Sequence, residues 1–287
     1  MDNVTERHKA GIDLFGDDMS PAEIRQWFLD EEHGYYNLTA NQNDSKGESE
    51  NGASYSYRTF NQFHAFEFVQ KRSFNTCLAF GCARGDDVEP LAGAVDSFIG
   101  IEPAKKFWRA EIGGKPATYL MPAVNGDLHL ADDSVDLVTS LGVLHHVPNV
   151  SHLLGEFARV LKPGGMFIVR EPCSSMGDWR KPRPGLTIRE RGISLAWMDS
   201  QLRAKGFKCL RRRYVMFKAT YLLEKLIKYP FNNRAIVVAD WIASTIFSWN
   251  CRYWRDSTLK KIAPTSYYIV AQKVAERPVQ DAAPHMA

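Results

Sequence analysis

The chain has 287 residues, of which 45% are hydrophobic and 24% charged, a composition typical of a globular protein with a sizeable core. The 36 Lys and Arg residues against 33 Asp and Glu leave a formal charge of +3, too small by itself to indicate a nucleic-acid partner. The cysteines are dispersed without a C-x-x-C pair, which excludes a typical zinc or disulfide framework and favours a reduced, cytoplasmic compartment. They are Cys77, Cys82, Cys173, Cys209 and Cys251.

Residues 1–72 are predicted to form an N-terminal helical segment. The sequence Ser20-Pro21-Ala22-Glu23 is typical of a helix start, with an N-cap, a proline in the first turn and an acidic third residue. Residues 39–54 are almost devoid of apolar side chains, so a mobile loop is predicted there. Mixed helical spacings of aromatic residues in 57–71 predict an amphipathic helix before the first strand. The polar first residues lack the apolar core of a secretory signal.

Apolar strand-like runs then alternate with helical ones, a pattern that predicts a doubly wound α/β fold with a parallel sheet. Five strands are predicted at Thr76–Phe80, Ser97–Ile101, Ala117–Met121, Val135–Thr139 and Met166–Arg170. Helices are predicted at Val150–Leu161 and Ser194–Lys205, and two last strands at Phe207–Phe217 and Ser266–Gln272.

The predicted core comprises 73–220 and 263–275, with a helical insertion at 221–262 and a frayed tail at 276–287. The insertion's most apolar stretch, Trp241–Cys251, is shorter than the roughly 20 apolar residues of a membrane-spanning helix.

Four motifs lie at successive strand ends. A glycine turn, Gly81-Cys82-Ala83-Arg84-Gly85, follows the first strand, and a helix is predicted directly after this turn. Glu102 follows the second strand at about the distance where a carboxylate meets ribose hydroxyls. Asn125-Gly126-Asp127-Leu128 follows the third strand. The run 134–147 contains the fourth strand, Leu141 and the pair His145-His146, and a Lys-Pro-Gly-Gly sequence closes the next helix.

Together these motifs resemble the class I S-adenosylmethionine-dependent methyltransferase family. The resemblance implies a seven-stranded, mostly parallel sheet that binds S-adenosylmethionine and releases S-adenosylhomocysteine. Gly81, Ala83 and Gly85 would face the methionine and ribose, Glu102 the ribose, Asp127 and Leu128 the adenine, and Leu141 the sulfonium. Two departures are Ala83 at the usual second glycine and Ala79-Phe80 where an acidic residue is common. A nicotinamide dehydrogenase would require G-x-G-x-x-G, which this turn does not match.

Methyl transfer needs mainly alignment of acceptor and methyl group, so few catalytic side chains are obligatory. If the acceptor is a hydroxyl, His145 or His146 is the candidate general base, because both follow the fourth strand at the expected methyl position. The alternative is that these histidines only hold a loop. His64, on an aromatic helix, is expected to be packed, and no metal site is predicted.

The segment after the fifth strand is the candidate acceptor side. Its candidate substrate-binding residues are Glu171, Asp178, Trp179, Arg180, Lys181 and Arg183. The basic members could hold a phosphate or carboxylate, or could belong to a solvated loop with ion pairs to Asp178 and Glu190. Aromatic residues of the insertion could cap the acceptor pocket, pack among themselves or form a dimer contact.

A second resemblance, to bacterial methyltransferases of cell-surface polysaccharide pathways, rests on Arg170-Glu171-Pro172, the run 177–183 and Ala263-Pro264-Thr265-Ser266. It implies O-methylation of a sugar in a surface glycan or its activated precursor. The alternatives are O- or N-methylation of a secondary metabolite, or a non-catalytic cofactor-binding or scaffold role. A glycan or small molecule is the expected partner and nucleic acid is not, while peripheral membrane contact and a homodimer stay open.

Overall fold

The computed structural model describes residues 3–31 and 56–274. The predicted mobile loop 39–54 and tail 276–287 lie outside these ranges. Helix α1 is Asn3–Ala10, and α2 covers 21–31. The predicted start of α2 is confirmed, because Ser20 and Glu23 exchange backbone-to-side-chain hydrogen bonds of 2.8 and 3.4 Å. Helical segment α3 covers 58–69, with a π-helical turn at Gln62–Phe66.

One eight-stranded sheet forms the centre of the molecule, in the order β3-β4-β2-β1-β5-β6-β8-β7. The strands are β1 Phe74–Phe80, β2 Val95–Ile101, β3 Glu111–Ile112, β4 Lys115–Leu120, β5 Val135–Leu141, β6 Leu161–Pro172, β7 Phe207–Phe217 and β8 Pro264–Lys273. β8 runs antiparallel to both neighbours, and β3 pairs antiparallel with β4. The predicted doubly wound α/β class is confirmed, and the strand beyond the expected seven is the two-residue β3.

The remaining helices are α4 Val150–Val160, α5 Leu195–Ala204, α6 Lys218–Tyr221 and α7 Arg234–Ile246. The prediction of a helix directly after the glycine turn is wrong. Residues 81–94, all described, contain only a short 3-10 turn at Glu89–Leu91. Glycines at 85 and 93 and a proline at 90 leave too little uninterrupted chain for an α-helix.

The core has two layers, one on each face of the sheet. Side chains along each strand alternate between them, so Leu78 belongs to one layer and Cys77 to the other. The first layer packs under α4 and α5, whose Phe157 and Trp197 are buried in it. The second packs under α3, with Phe60, and α7, with Val237. This packing holds the strand ends in fixed register.

Residues 218–262 form α6, α7 and several 3-10 turns between β7 and β8. Asp240 of α7 is buried and accepts two backbone amides of β7, from Met216 and Phe217, each at 2.8 Å. These bonds fasten α7 to the sheet. Among the described residues, no helix is long and apolar enough to cross a membrane.

Candidate active site

The register of the sheet brings the predicted motifs together. Phe80 pairs with Ile101 and Ser140, so the turns after β1, β2 and β5 begin at one edge. Leu141 pairs with Arg170, which places Glu171 beside the turn after β5. This is the carboxyl edge, where open α/β sheets bind ligands.

The turn after β1 needs glycine at Gly81 because another loop lies against it. Gly81 has φ +66°, and a Cβ there would come within 2.4 Å of the Val143 side chain. Ala83 also has a positive φ, +47°, a left-handed conformation that costs a non-glycine residue about 1–2 kcal/mol. The turn therefore holds Ala83 in a strained backbone conformation.

Glu102 connects the turns after β1 and β2. Its carboxylate, 7% exposed, accepts the amide of Ala83 at 3.0 Å on one oxygen and that of Ala104 at 2.9 Å on the other. Burial raises the pKa of this carboxyl group, while the two amide hydrogen bonds oppose the rise. Each oxygen keeps a lone pair for a further donor.

Asp127 lies on the surface after β4, where His152 and Asn125 bind its two oxygens at 2.8 and 2.6 Å. The His152 and Asn125 hydrogen bonds lower the pKa of Asp127. Leu128 is buried in the core, and its amide donates to Glu156 at 2.8 Å. Asp127 also lines a groove of about 470 Å³ beside α2, together with residues such as Ile24, Val124 and His152.

Leu141 ends β5 and is buried. Its carbonyl accepts Arg170 Nη2 at 3.1 Å, and the Arg170 guanidinium lies 4.9 Å from the centre of the Tyr57 ring. Asn61 of α3 accepts a second hydrogen bond from Arg170 at 3.0 Å. Arg170 thereby ties α3 to the turn after β5.

His145 is held by a carboxylate on each side. Its Nδ1 lies 2.7 Å from Glu171 Oε2, and its Nε2 lies 3.6 Å from Glu190 Oε1. Because a carboxylate only accepts, Nδ1 donates to Glu171 and Nε2 carries the lone pair. Burial, together with the neighbouring His146, lowers the pKa of His145, so the imidazole is neutral near pH 7.

The pKa of His146 is shifted in the opposite direction. Burial alone would lower its pKa, but Glu31, whose Oε2 lies 2.8 Å from His146 Nδ1, and the nearby Glu190 and Glu171 raise it above the ordinary value. The pKa values of the two imidazoles are therefore shifted in opposite directions although the rings are adjacent, with centres 4.1 Å apart.

The short turn that carries both histidines is fixed by hydrogen bonds from three directions. Glu171 accepts the amides of Val143 and Leu144 at 2.9 and 2.7 Å. The buried Arg191 donates to the carbonyls of Leu144 and Val147 at 3.1 and 2.9 Å. Trp27 of α2 donates to the His146 carbonyl at 2.7 Å. These bonds act together with the Nδ1 contacts of His145 to Glu171 and of His146 to Glu31, so the alternative in which the histidines hold the loop is compatible with the geometry.

The cluster also has a metal-binding composition. One ligand atom each from His145, His146 and Glu190 lies within 4.8 Å of the others. Two imidazoles and a carboxylate are a donor set that divalent transition ions accept.

Most basic side chains of the segment after β6 bind within the protein. Arg180 pairs with Asp178 at 2.7 Å, and Arg189 pairs with Asp30 of α2 at 2.8 Å. Arg183 donates to backbone carbonyls at 3.2–3.4 Å, but its Nε is buried without a hydrogen-bond partner among the described residues. Lys181 is exposed.

Trp179 is 6% exposed and packs with Phe15 and Trp254, at ring-centre distances of 5.6 and 5.3 Å. It connects the N-terminal part, the segment after β6 and the insertion. Sequence reasoning missed Glu31, Trp27, Arg191 and the contact of Glu190 with His145. Only the burial of these polar groups, which appears in the folded chain, singles them out. His64, as expected, is packed, stacking on Tyr268.

Comparison with known proteins agrees with this geometry. Residues 78–169 match the family model described as "Methyltransferase domain". A protein named as a probable S-adenosylmethionine-dependent methyltransferase from Mycolicibacterium smegmatis is 27% identical over 157 residues, 51% of this chain and 59% of its own length. An uncharacterized 37.1 kDa protein of a Streptomyces fradiae transposon is 34% identical over 120 residues, 39% of this chain and 32% of its own.

These alignments cover less than two thirds of either relative. Among solved structures, a protein assigned as a sarcosine dimethylglycine methyltransferase from Galdieria sulphuraria has the same fold, with a TM-score of 0.51 at 17% identity over 76% of this chain and 85% of that one. Residues 78–169 are therefore a class I methyltransferase domain, and the cofactor of this class is S-adenosylmethionine.

The residues at the sheet edge fit this cofactor. Glu102 has two spare lone pairs at the end of β2, matching the two hydroxyl donors of a ribose. Asp127, in the loop after β4, is partly exposed, and its oxygens keep lone pairs besides those bound by His152 and Asn125. The left-handed backbone at Gly81, Ala83 and Gly85 lets a ligand approach the turn closely.

Proposed function

We propose that this protein is an S-adenosylmethionine-dependent methyltransferase that O-methylates a sugar of a bacterial surface glycan or its activated precursor. The observation that carries the hydroxyl acceptor is the alignment of Glu171, His145 and Glu190. A neutral imidazole with one nitrogen bound to a carboxylate and the other bearing a lone pair is the arrangement of a general base.

When bound, S-adenosylmethionine supplies a methyl group on a sulfonium, whose leaving group is already good. Glu102 would hold the ribose, the turn 81–85 the methionine and ribose, Asp127 and Leu128 the adenine, and Leu141 the sulfonium side. What the chain must do is place the acceptor oxygen of the substrate correctly and accept its proton.

His145 Nε2 would accept that proton. Glu171 fixes the tautomer and, with Glu190 at 3.6 Å from Nε2, stabilises the imidazolium that forms. Glu190 is itself held by the Thr187 amide at 3.1 Å, so it stays beside the ring. His146 is the neighbouring candidate, but its raised pKa keeps a larger share of its imidazole already protonated and unable to accept a proton.

For the acceptor, one half-buried cation of the basic segment carries more weight than the rest of that segment. Arg183 has an unsatisfied Nε and lies within electrostatic range of Glu190, Glu31 and Tyr253. A guanidinium there suits a phosphate or carboxylate on a sugar. Lys181, Asp178 and Trp179 would line the outer part of the same site, whereas Arg180 is held by Asp178.

The test is transfer from methyl-labelled S-adenosylmethionine to fractionated cell extract. His145→Gln is compared with wild type and with His129→Gln, an exposed histidine as control. We expect label in glycan or sugar-nucleotide material, with the His145 variant slower by roughly 10²–10⁴-fold and the control unchanged.

Label only in a small-metabolite fraction would replace the sugar by that acceptor. Cofactor binding without transfer to any fraction would favour a non-catalytic role. Arg183→Ala against Arg180→Ala then tests the anion: the Arg183 variant should raise the acceptor KM with kcat nearly unchanged, and the Arg180 variant should leave both unchanged.

A further inference from the structure

Two cysteines far apart in sequence meet beside the segment that leaves β6. Cys173 directly follows β6, and Cys251 follows the 3-10 turn Ser248–Asn250 of the insertion. Their Sγ atoms are 3.4 Å apart, although 78 residues separate them. Both thiols are free, and the proposed methyl transfer assigns a role to neither of them.

A single guanidinium contacts both sulfur atoms. Arg255 Nη2 lies 3.3 Å from Cys251 Sγ and 3.4 Å from Cys173 Sγ, and it is anchored on the Pro264 carbonyl at 2.7 Å. A fixed cation beside a thiol favours the thiolate. The hydrogen bond from Cys173 and the Arg255 charge, against the effect of burial, lower the pKa of Cys251 to about 7.

The two thiols are not equivalent. Cys251 is partly exposed, whereas Cys173 is 3% exposed and burial raises its pKa. A reactant from solvent therefore reaches Cys251 first, and Cys173 lies behind it as the second sulfur. The other thiols lack this arrangement. Burial raises the pKa of both Cys77 and Cys82, and Cys209 is exposed, with its sulfur 3.6 Å from the Arg211 carbonyl oxygen.

We propose that Cys251 is a peroxide-reactive thiol and that Cys173 is its resolving partner. The Cys251 thiolate attacks one oxygen of hydrogen peroxide, the O–O bond breaks, and protonation of the leaving hydroxide gives water and a sulfenic acid. The Cys173 thiol, giving up its proton, then attacks the sulfenic sulfur, a disulfide forms and a second water leaves. The two thiols are oxidised and one peroxide is reduced.

The geometry allows the second step with a small movement, since the sulfurs must approach from 3.4 Å to about 2 Å. The disulfide would join the insertion to the end of β6. The Ser175 amide already donates to the Tyr253 carbonyl, and the Tyr253 hydroxyl to the Gly192 carbonyl, each at 2.8 Å. Oxidation would thus add a covalent link where the insertion already lies on the segment after β6.

The experiment treats the fully reduced, full-length protein with one equivalent of hydrogen peroxide and measures intact mass and the tryptic map. We expect wild type and Cys209→Ser to lose the mass of two hydrogen atoms, with the peptides of Cys173 and Cys251 linked and the link removed by dithiothreitol. Cys251→Ser should keep all remaining thiols reduced. Arg255→Ala should react several-fold more slowly than wild type.

Cys173→Ser provides a second readout, because the sulfenic acid on Cys251 then has no partner and should be trapped by dimedone. The proposal is overturned if Cys209 or another thiol is oxidised before Cys251. It is also overturned if dimedone fails to label Cys251 in the Cys173 variant, or if peroxide leaves both thiols of the wild type open to alkylation after unfolding.

Discussion

Replacing Glu102 by alanine should weaken cofactor binding more than any other single change at the end of β2. The substitution removes the carboxylate that we place on the two ribose hydroxyls. A hydrogen bond to a charged group contributes about 1.5–3 kcal/mol, so two of them amount to about 3–6 kcal/mol. Since each 1.4 kcal/mol is a factor of ten, the dissociation constant should rise by roughly 10²–10⁴-fold.

The same change has a structural cost that must be separated from the binding effect. The amides of Ala83 and Ala104 lose their acceptor, which we expect to lower the free energy of unfolding by about 1–3 kcal/mol. Glu102→Gln keeps an oxygen for one amide but turns an NH₂ group toward the other, so it should lie between wild type and the alanine variant.

Isothermal titration with S-adenosylhomocysteine measures the binding, and circular dichroism establishes that each variant is folded. Asp96→Ala is the matched control, because Asp96 is an exposed carboxylate near the other end of the same strand. A folded Glu102→Ala protein that binds within about threefold of wild type would refute the assignment of Glu102 to the ribose.

Three other outcomes follow from the structure. Ala83→Gly should raise the free energy of unfolding in urea by about 0.5–1 kcal/mol, because relief of the left-handed strain outweighs the added backbone entropy; a lower value would contradict the strain. Burial raises the pKa of Asp87 to about 7, above its unfolded value, so wild type should lose stability relative to Asp87→Asn as the pH rises from about 4 to 7, by up to about 4 kcal/mol. Parallel denaturation curves across that range would argue against it. If His145 acts as a base, methyl transfer should survive dialysis against EDTA, whereas loss with recovery on adding Zn²⁺ or Mn²⁺ would show that His145, His146 and Glu190 bind a metal.

The strands were predictable because central strands of a parallel sheet are continuous apolar runs, and Val135–Leu141 has that pattern. The positions of the glycine turn and Glu102 at strand ends were predictable because each directly follows an apolar strand-like run, while their roles toward the cofactor stay predictions. The prediction of a helix after the turn was wrong for a physical reason. A strand end is marked by a few local residues such as glycine, whereas a helix needs a longer uninterrupted run of residues.

The partners of the site's charged groups were not predictable. Glu31 meets His146 across 115 residues, and Asp30 meets Arg189 across 159. Nothing in the local sequence around His146 or Arg189 indicates a contact with a residue so far away along the chain. For this reason the sequence left open whether the basic run after β6 forms an anion-binding surface or a loop with internal ion pairs. In the structure Arg180 and Arg189 form ion pairs within the chain, and Arg183 and Arg191 donate to backbone carbonyls.

The two edge strands of the sheet differ in length, but both disfavour pairing with the sheet of a second copy of the chain. At one edge, β3 offers only two residues of backbone to a neighbouring strand. At the other, β7 is long but carries Arg211, Arg212 and Arg213 in succession. A second β7 laid alongside with Arg211, Arg212 and Arg213 facing their counterparts would bring like charges together, and a second β3 would gain few hydrogen bonds. Both edges thereby disfavour growth of the sheet from one copy of the chain to the next.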